Sequence, residues 1–311
     1  MFNVPAVSLA RTAINRDYFL PTVTLTFKLT PEMQFRLAGS QTIARPQFRE
    51  LIFQNYFDPD DNRQYRGNPF LVDTQLRNAE LRWEWYFARD QRLSVAGFYK
   101  RIDNPIETFA SFSDNTITTS FANAPTAQLY GAEIEAQKYF ALDRVFGGGK
   151  FWASRRAVVI ANYTYTQSRI EVGPNDPARV FGLSGITLAS QLFRNGVPLT
   201  GQSDHIANLE LGFEDQDKLS QQTLLLNYAS RRATIRGGSG QPDIFEFPGF
   251  RLDFVARQGI KIGGLNTEMK LEVRNITGTR FQEFQQSGAN RIFYNLYSVG
   301  TTASLGLSVN F

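Results

Sequence analysis

Thr301-Thr302-Ala303-Ser304-Leu305-Gly306-Leu307-Ser308-Val309-Asn310-Phe311 closes the chain and alternates without a break. Successive side chains of a strand point to opposite sides. Ala303, Leu305, Leu307, Val309 and Phe311 therefore share one face, and Thr302, Ser304, Gly306, Ser308 and Asn310 the other. A strand of about ten residues with this dyad pattern fits an outer-membrane barrel, where one face meets lipid and the other a polar lumen. The same strand also suits a half-buried position in a soluble sandwich, so the rest of the chain decides.

Composition narrows the choice. The 311 residues are 14% aromatic, and no apolar run approaches the ~18 residues that a membrane-spanning helix requires. The net charge of +4 comes from 33 Lys and Arg spread among 29 Asp and Glu. There is no basic block of the kind that marks a nucleic-acid tail, so no nucleic-acid partner is expected. With no cysteine, disulfides, thiol nucleophiles and cysteine-ligated metals are excluded. Residues 1–10 lack a charged start, a long apolar core and a cleavage site, so they do not read as a signal peptide.

Alternation runs through nearly the whole chain. Val23, Leu25, Phe27 and Leu29 alternate with threonines and Lys28, and beyond Pro31 the pattern resumes through Met33, Phe35 and Leu37, as in a hairpin. Ala79, Leu81, Trp83, Trp85 and Phe87 oppose Asn78, Glu80, Arg82, Glu84 and Tyr86. Tyr130, Ala132, Ile134 and Ala136 oppose Gly131, Glu133, Glu135 and Gln137, while Leu265, Met269, Leu271 and Val273 oppose Glu268, Lys270, Glu272 and Arg274. The apolar faces suit lipid and the charged faces a wet or plugged lumen.

These patterns predict strands near 22–30, 32–42, 76–88, 92–103, 127–140, 155–169, 205–213, 221–235, 249–260, 265–276 and 300–311. Their connections alternate between short turns and long loops at 43–75, 104–126, 170–204, 236–248 and 277–299, the asymmetry of periplasmic turns and extracellular loops. The expected fold is all-β, an antiparallel transmembrane β-barrel of 11–12 strands. Closed bacterial barrels use even strand numbers, and with eleven strands the first and last run the same way and cannot pair antiparallel. Together with an opening segment, 1–20, that reads as an extracellular loop, this predicts the C-terminal half of a plugged barrel of about 22 strands. Residues 106–112 read either as a further strand that restores even parity or as a hairpin standing on a loop.

Leu20-Pro21 before a Thr-rich strand, then Ala44-Arg45-Pro46-Gln47-Phe48-Arg49-Glu50-Leu51 and Asn68-Pro69-Phe70-Leu71, resemble the barrel of TonB-dependent receptors, with its "ARP-x-F-x-EL" and "NP-x-L" segments. Ala44, Arg45, Pro46, Phe48, Glu50 and Leu51 carry that motif. The likeness continues through Phe98-Tyr99-Lys100-Arg101-Ile102-Asp103-Asn104-Pro105-Ile106, Tyr130-Gly131-Ala132-Glu133-Ile134-Glu135, Asn162-Tyr163-Thr164 and Arg274-Asn275-Ile276, so it covers nearly the whole of 1–311. The terminal Phe311, with Leu305, Leu307 and Val309, resembles the signal by which the barrel assembly machinery selects outer-membrane proteins.

The resemblance implies a bacterial outer-membrane location and active uptake of a scarce nutrient, such as a ferric siderophore, a cobalamin or a glycan. For the full-length receptor it also implies an energy-transducing TonB complex and a plug domain. Residues 1–311 contain neither a plug nor a TonB-pairing box, so a plug and an N-terminal barrel half are expected as partners, beside outer-membrane lipid. A self-contained outer-membrane porin or adhesin is the competing reading, and a soluble β-rich binding protein a third.

No cofactor is expected, and no enzyme activity. The single histidine, His205, follows Ser203 and Asp204, but neighbours on a strand point to opposite faces and cannot converge on one centre. Asp58, Asp60, Asp61 and Asn62 offer oxygen ligands without the Gly and terminal Glu of a calcium loop, and read as a solvated loop. Gly147-Gly148-Gly149-Lys150 lacks the Ser or Thr and the helix of a phosphate loop and reads as a turn. The inward charges Glu80, Arg82, Glu84, Glu133, Glu135, Glu268, Glu272 and Arg274 are expected to line the lumen. There they either contact a plug or pair across neighbouring strands. Trp83, Trp85, Tyr86 and Phe87 at one end, with Tyr163 and Tyr165 toward the other, are expected to form the interfacial girdles.

Overall fold

The computed structural model describes residues 15–59, 63–113, 116–183, 185–238 and 240–310. Most of the expected opening loop, together with Asp60, Asp61, Asn62 and the terminal Phe311, lies outside the described residues.

Among the described residues nineteen strands follow one another. A first hairpin, β1 (Thr22–Lys28) and β2 (Met33–Ala44), leads to a loop holding β3 (Asn55–Asp58) and β4 (Arg63–Arg66). A second hairpin, β5 (Thr74–Ala88) and β6 (Gln91–Asp103), is followed by the loop strands β7 (Ile106–Ser113) and β8 (Thr116–Asn123). Next come the long strands β9 (Thr126–Ala141) and β10 (Arg155–Glu171), then β11 (His205–Asp215) and β12 (Ser220–Ala229). Loop strands β13 (Arg232–Ile235) and β14 (Ile244–Glu246) precede β15 (Gly249–Ile262) and β16 (Leu265–Arg274). A last loop carries β17 (Arg280–Ser287) and β18 (Asn290–Ser298), and β19 (Thr302–Asn310) ends the series.

Eleven of these strands make one antiparallel sheet in the order β1-β2-β5-β6-β9-β10-β11-β12-β15-β16-β19. Each wall strand pairs with the wall strand before it, so the sheet is an up-and-down meander matching the eleven predicted spans. Edge strands β1 and β19 run in the same direction, and the sheet is open. Residues 106–113 resolve the ambiguity in the sequence, because β7 pairs with β8 as a hairpin outside the wall. The strand expected over 221–235 is corrected: it stops at Ala229, and β13 belongs to a loop sheet. There Ala233 and Ile235 are each 2% exposed, a burial that lipid-facing residues of an isolated wall cannot reach.

The register gives the wall two unlike faces. One cross-strand row runs Phe27, Phe35, Trp83, Val95, Ile134, Tyr163, Ala207, Tyr228, Phe250 across nine neighbouring strands. Leu305 and Leu307 continue the apolar face on β19. Short turns close one end of the wall, and Gly263 and Gly264, both at positive φ (58° and 87°), make a two-residue turn between β15 and β16. Two residues in the left-handed region match the twist of a hairpin and favour glycine.

At the other end the long loops build a cap. It contains two four-stranded sheets, β3-β4-β8-β7 and β13-β14-β17-β18, joined by a parallel bridge between Phe109 and Arg236. Ala110 donates its amide to the Arg236 carbonyl at 2.8 Å, and Arg236 donates to the Thr108 carbonyl at 2.9 Å.

Candidate functional site: the polar face and its cap

The eight charged residues expected to line the lumen lie on the face opposite the apolar rows. Glu84 on β5 accepts Arg36 at 3.1 Å and the Gln34 amide at 2.6 Å from β2, and the Tyr86 hydroxyl at 3.2 Å. Arg82 pairs with Glu80 at 3.0 Å and reaches Glu133 on β9 at 3.5 Å. Glu133 accepts Asn162 at 2.7 Å, and Glu135 pairs with Arg92. On β16, Glu268 holds Arg257 at 2.7 Å, while Glu272 holds Lys270 at 2.6 Å and Arg274 at 3.4 Å. The structure does not gather these into one cluster: four strands separate β9 from β16. Between them runs an amide chain that the sequence reading missed, Asn162 to Asn208 at 3.4 Å and Asn208 to Asn227 at 2.8 Å. Counting strand parity finds it once the register is known.

The cap sits on this same face. Leu76, Ile102, Ala127 and Ile170 form one row across β5, β6, β9 and β10, in the parity of Glu80 and Glu133 but nearer the long loops. Phe109, Ala122, Ala124, Val180, Leu192, Phe193 and Leu199 from the loops share their core. The polar stripe thus turns apolar where the loops fold onto it. That switch is local and short, which is why the alternating pattern did not disclose it.

Two buried ionic groups tie the cap together. Arg236, 2% exposed, pairs with Glu107 at 3.0 Å and Asp243 at 2.9 Å. Glu107 also accepts the Thr200 amide, at 3.1 and 3.2 Å. Burial pushes the Glu107 carboxyl above its ordinary range, against the pull of the Arg236 guanidinium and the Thr200 amide. The second group joins Arg63 to Glu283 at 2.5 Å, and Asn295 donates to the same carboxylate at 2.8 Å. A recess of about 300 Å³ remains where the cap meets β11, β12 and β15, with Asn208, Asn227, Arg251, Glu246, Phe247 and Phe281 in its lining.

The motif residues lie at the end of β2 and in the loop that follows it. Ala44 ends β2, Arg45 and Pro46 follow, and Phe48, Glu50 and Leu51 lie in a single helical turn, Phe48–Leu51. The Glu50 carboxylate accepts the Gln47 amide at 2.8 Å, and the Glu50 carbonyl accepts the Asn68 amide at 2.6 Å. Phe48 is 90% exposed. Asn68 is 1% exposed and binds two other loop segments: its Nδ2 donates to the carbonyls of Phe121 (3.0 Å) and Arg179 (2.8 Å), and its Oδ1 accepts the Phe181 amide at 3.2 Å. Gly131 leaves room for Phe98, since a Cβ there would come within 2.6 Å of that ring. Asn104 and Asn275 turn the chain at positive φ, 56° and 54°.

Leu305, Leu307 and Val309 project from the apolar face of β19. Trp83, Trp85 and Phe87 make an aromatic run near the short turns, with ring separations of 6.5 and 5.1 Å. Tyr86 does not join it, because the pleat turns it to the polar face and onto Glu84. Tyr163 and Tyr165 surround His205, whose Nδ1 lies 2.8 Å from the Tyr163 hydroxyl. Ser203 instead donates to the Ser230 carbonyl at 2.8 Å, and Asp204 accepts Gln202 at 3.2 Å, so these three do not converge. Among the described residues no group of three or more His, Asp or Glu is placed to hold a metal.

No curated protein matches the chain. Among solved structures it is similar to the outer membrane transporter YddB from Escherichia coli, with a TM-score of 0.55 at 8% identity, covering 90% of this chain and 39% of that one. It is also similar to the FrpB iron transporter from Neisseria meningitidis, with a TM-score of 0.53 at 13% identity over 93% of this chain and 38% of that one. For the ferric enterobactin receptor PfeA of Pseudomonas aeruginosa, in complex with enterobactin, the TM-score is 0.50 at 14% identity, with 84% and 35% covered. The chain therefore spans well under half the length of each. The family model for the TonB dependent receptor-like β-barrel matches residues 3–276. With the open eleven-stranded wall, this places the chain in that family, as part of a barrel of the bacterial outer membrane.

Proposed function

We propose that residues 1–311 are the C-terminal barrel region of a receptor that takes up a scarce nutrient, such as a ferric siderophore, across the outer membrane. The observation that carries this is the open wall with two parallel edges and a folded cap over its polar face. Unpaired backbone groups in hydrocarbon cost several kcal/mol each, so both edges need partner strands. Antiparallel closure demands an odd number of further strands, the first and last running from the short-turn end to the loop end, which an N-terminal barrel half supplies. Glu80, Arg82, Glu84, Glu133, Glu135, Glu268, Glu272 and Arg274 then face the lumen and a plug, and TonB supplies the energy. The barrel assembly machinery reads β19 through Leu305, Leu307 and Val309. No step in this role calls for a cofactor or for catalysis.

The test is growth on a ferric siderophore by iron-starved cells that carry the complete receptor. Deleting this region should abolish TonB-dependent uptake, and uptake that persists would overturn the proposal. The purified chain alone should not hold a steady conductance in a planar bilayer. A stable, monomeric pore would instead support the self-contained porin.

A further inference from the structure

The apolar face of the wall carries charge only near its two rims among the described strand residues. At the short-turn rim stand Lys138, Arg155 and Asp215. At the loop rim the charges crowd onto adjacent strands. Arg77 of β5, Arg101 of β6 and Arg169 of β10 occupy a single cross-strand row, completed by Gln128 of β9. From β11 to β19 the same rim bears no Lys, Arg, Asp or Glu among the described strand residues.

The layers around that row are ordered. The next row toward the apolar band contains Tyr99 and Tyr130, and the next row outward contains Asp103 and Glu171. Two residues of strand carry the chain about 6 Å, so the guanidiniums start just beyond the tyrosines, where hydrocarbon gives way to headgroups. Strands about 4.8 Å apart spread the row over roughly 14 Å.

Arg77 and Arg101 are direct cross-strand neighbours, an arrangement of like charges that calls for an anion. The protein supplies a partial one. Asp103 lies 3.7 Å from Arg77 and 3.4 Å from Arg101, and Glu171 lies 3.6 Å from Arg169, which also donates to Gln128 at 3.0 Å. Three cations face two carboxylates, and each guanidinium presents five N–H donors to one or two contacts. The three arginine side chains remain 62%, 44% and 55% exposed.

We propose that this row binds the phosphates of an outer-leaflet lipid headgroup and holds that lipid against Tyr99 and Tyr130. Planar guanidinium forks match phosphate oxygens, and the apolar band beneath takes the acyl chains, which free phosphate lacks. The inference rests on the outer-membrane placement of the wall and is independent of what the receptor transports.

The test uses the complete receptor containing this chain, in uncharged detergent, titrated with bisphosphorylated lipid A, its dephosphorylated counterpart and inorganic phosphate. The bisphosphorylated form should bind roughly tenfold or more tightly than the dephosphorylated one. R77Q/R101Q/R169Q should erase that preference, and R77K/R101K/R169K should keep part of it. Equal binding of the two lipids by the unaltered protein overturns the proposal, and so does a preference that survives the triple glutamine variant. Inorganic phosphate that binds as tightly as the lipid overturns the assignment to a lipid. The unaltered protein decides the matter even where a variant fails to fold.

Discussion

In the wall, Leu305 and Leu307 stay 67% and 62% exposed, whereas in the cap Phe109, Phe193 and Phe284 are each 1% exposed. The wall therefore leaves its apolar side chains for lipid to cover, and the cap covers its own. Full burial of a large apolar side chain contributes about 1.5–3 kcal/mol in water, so the cap has a source of stability that does not depend on the membrane. Polar groups divide the same way. Wall charges pair at the surface of the sheet, while Arg236 and Glu107 are each 2% exposed and depend wholly on each other, Asp243 and nearby backbone. Each region is thus expected to fail under a different insult.

The largest expected effect tests whether the cap is a separate stability unit. Glu107→Ala removes one of the two carboxylates that hold the buried Arg236, together with the acceptor of the Thr200 amide, and should cost about 3–5 kcal/mol, the scale for deleting one partner of a buried ion pair. Because the bridge between the two loop sheets passes through Phe109 and Arg236, the loss should appear as faster hydrogen exchange at Ala110 and Arg236 and as proteolysis of the cap. Heat-resistant mobility of the wall should persist. Uniform loosening of wall and cap together would show that the two are one unit.

A smaller effect tests the faces of the wall. Leu271 lies between Ala256 and Leu305 on the neighbouring strands, on the apolar side. Leu271→Arg should cost about 2–4 kcal/mol if that site is near the bilayer midplane. Glu272→Arg, one residue on, points to the polar side and should be far milder. Equal loss of heat-resistant folded protein in the two variants would mean that the faces are reversed or that both are wet.

The same contrast explains what the sequence disclosed. The wall was legible because its two faces meet different solvents along the length of each strand, and such a pattern repeats every second residue for seven or more residues. The eleven spans, their order and the long loops at one end all followed from it. The cap was not legible, because its strands are as short as Ile244–Glu246, too short for alternation to stand out, and their burial follows the packing of loop on loop. Its fixing contacts from Asn68 to Phe121 and from Arg236 to Glu107 span 53 and 129 positions, and no local period records such a contact. Within the candidate site, parity identified the charged residues of β5, β9 and β16. It did not identify their partners Arg36, Arg92 and Asn162, because strand register has to be known first. Tyr86 was placed in the girdle by residue type and at the polar face by parity, and the pleat decided for parity.

The smallest expected effect concerns whether the polar face is rigid or able to re-pair. Arg82 divides itself between Glu80 at 3.0 Å and Glu133 at 3.5 Å, with 22% of its side chain and 28% of Glu133 exposed. A pair this wet, with a second carboxylate ready to replace the first, gains little over water, and its coupling should lie at about 0.3–1 kcal/mol. A double-mutant cycle on Arg82→Ala and Glu133→Ala, read from urea unfolding in detergent, measures it. A weak coupling suits a lumen surface that must release and re-form contacts with a plug, since exchanging one partner for another or for water then changes the free energy only slightly. A coupling of several kcal/mol would instead make the face a fixed structural brace. The wall would then resemble the cap in the one respect where their separate roles require them to differ.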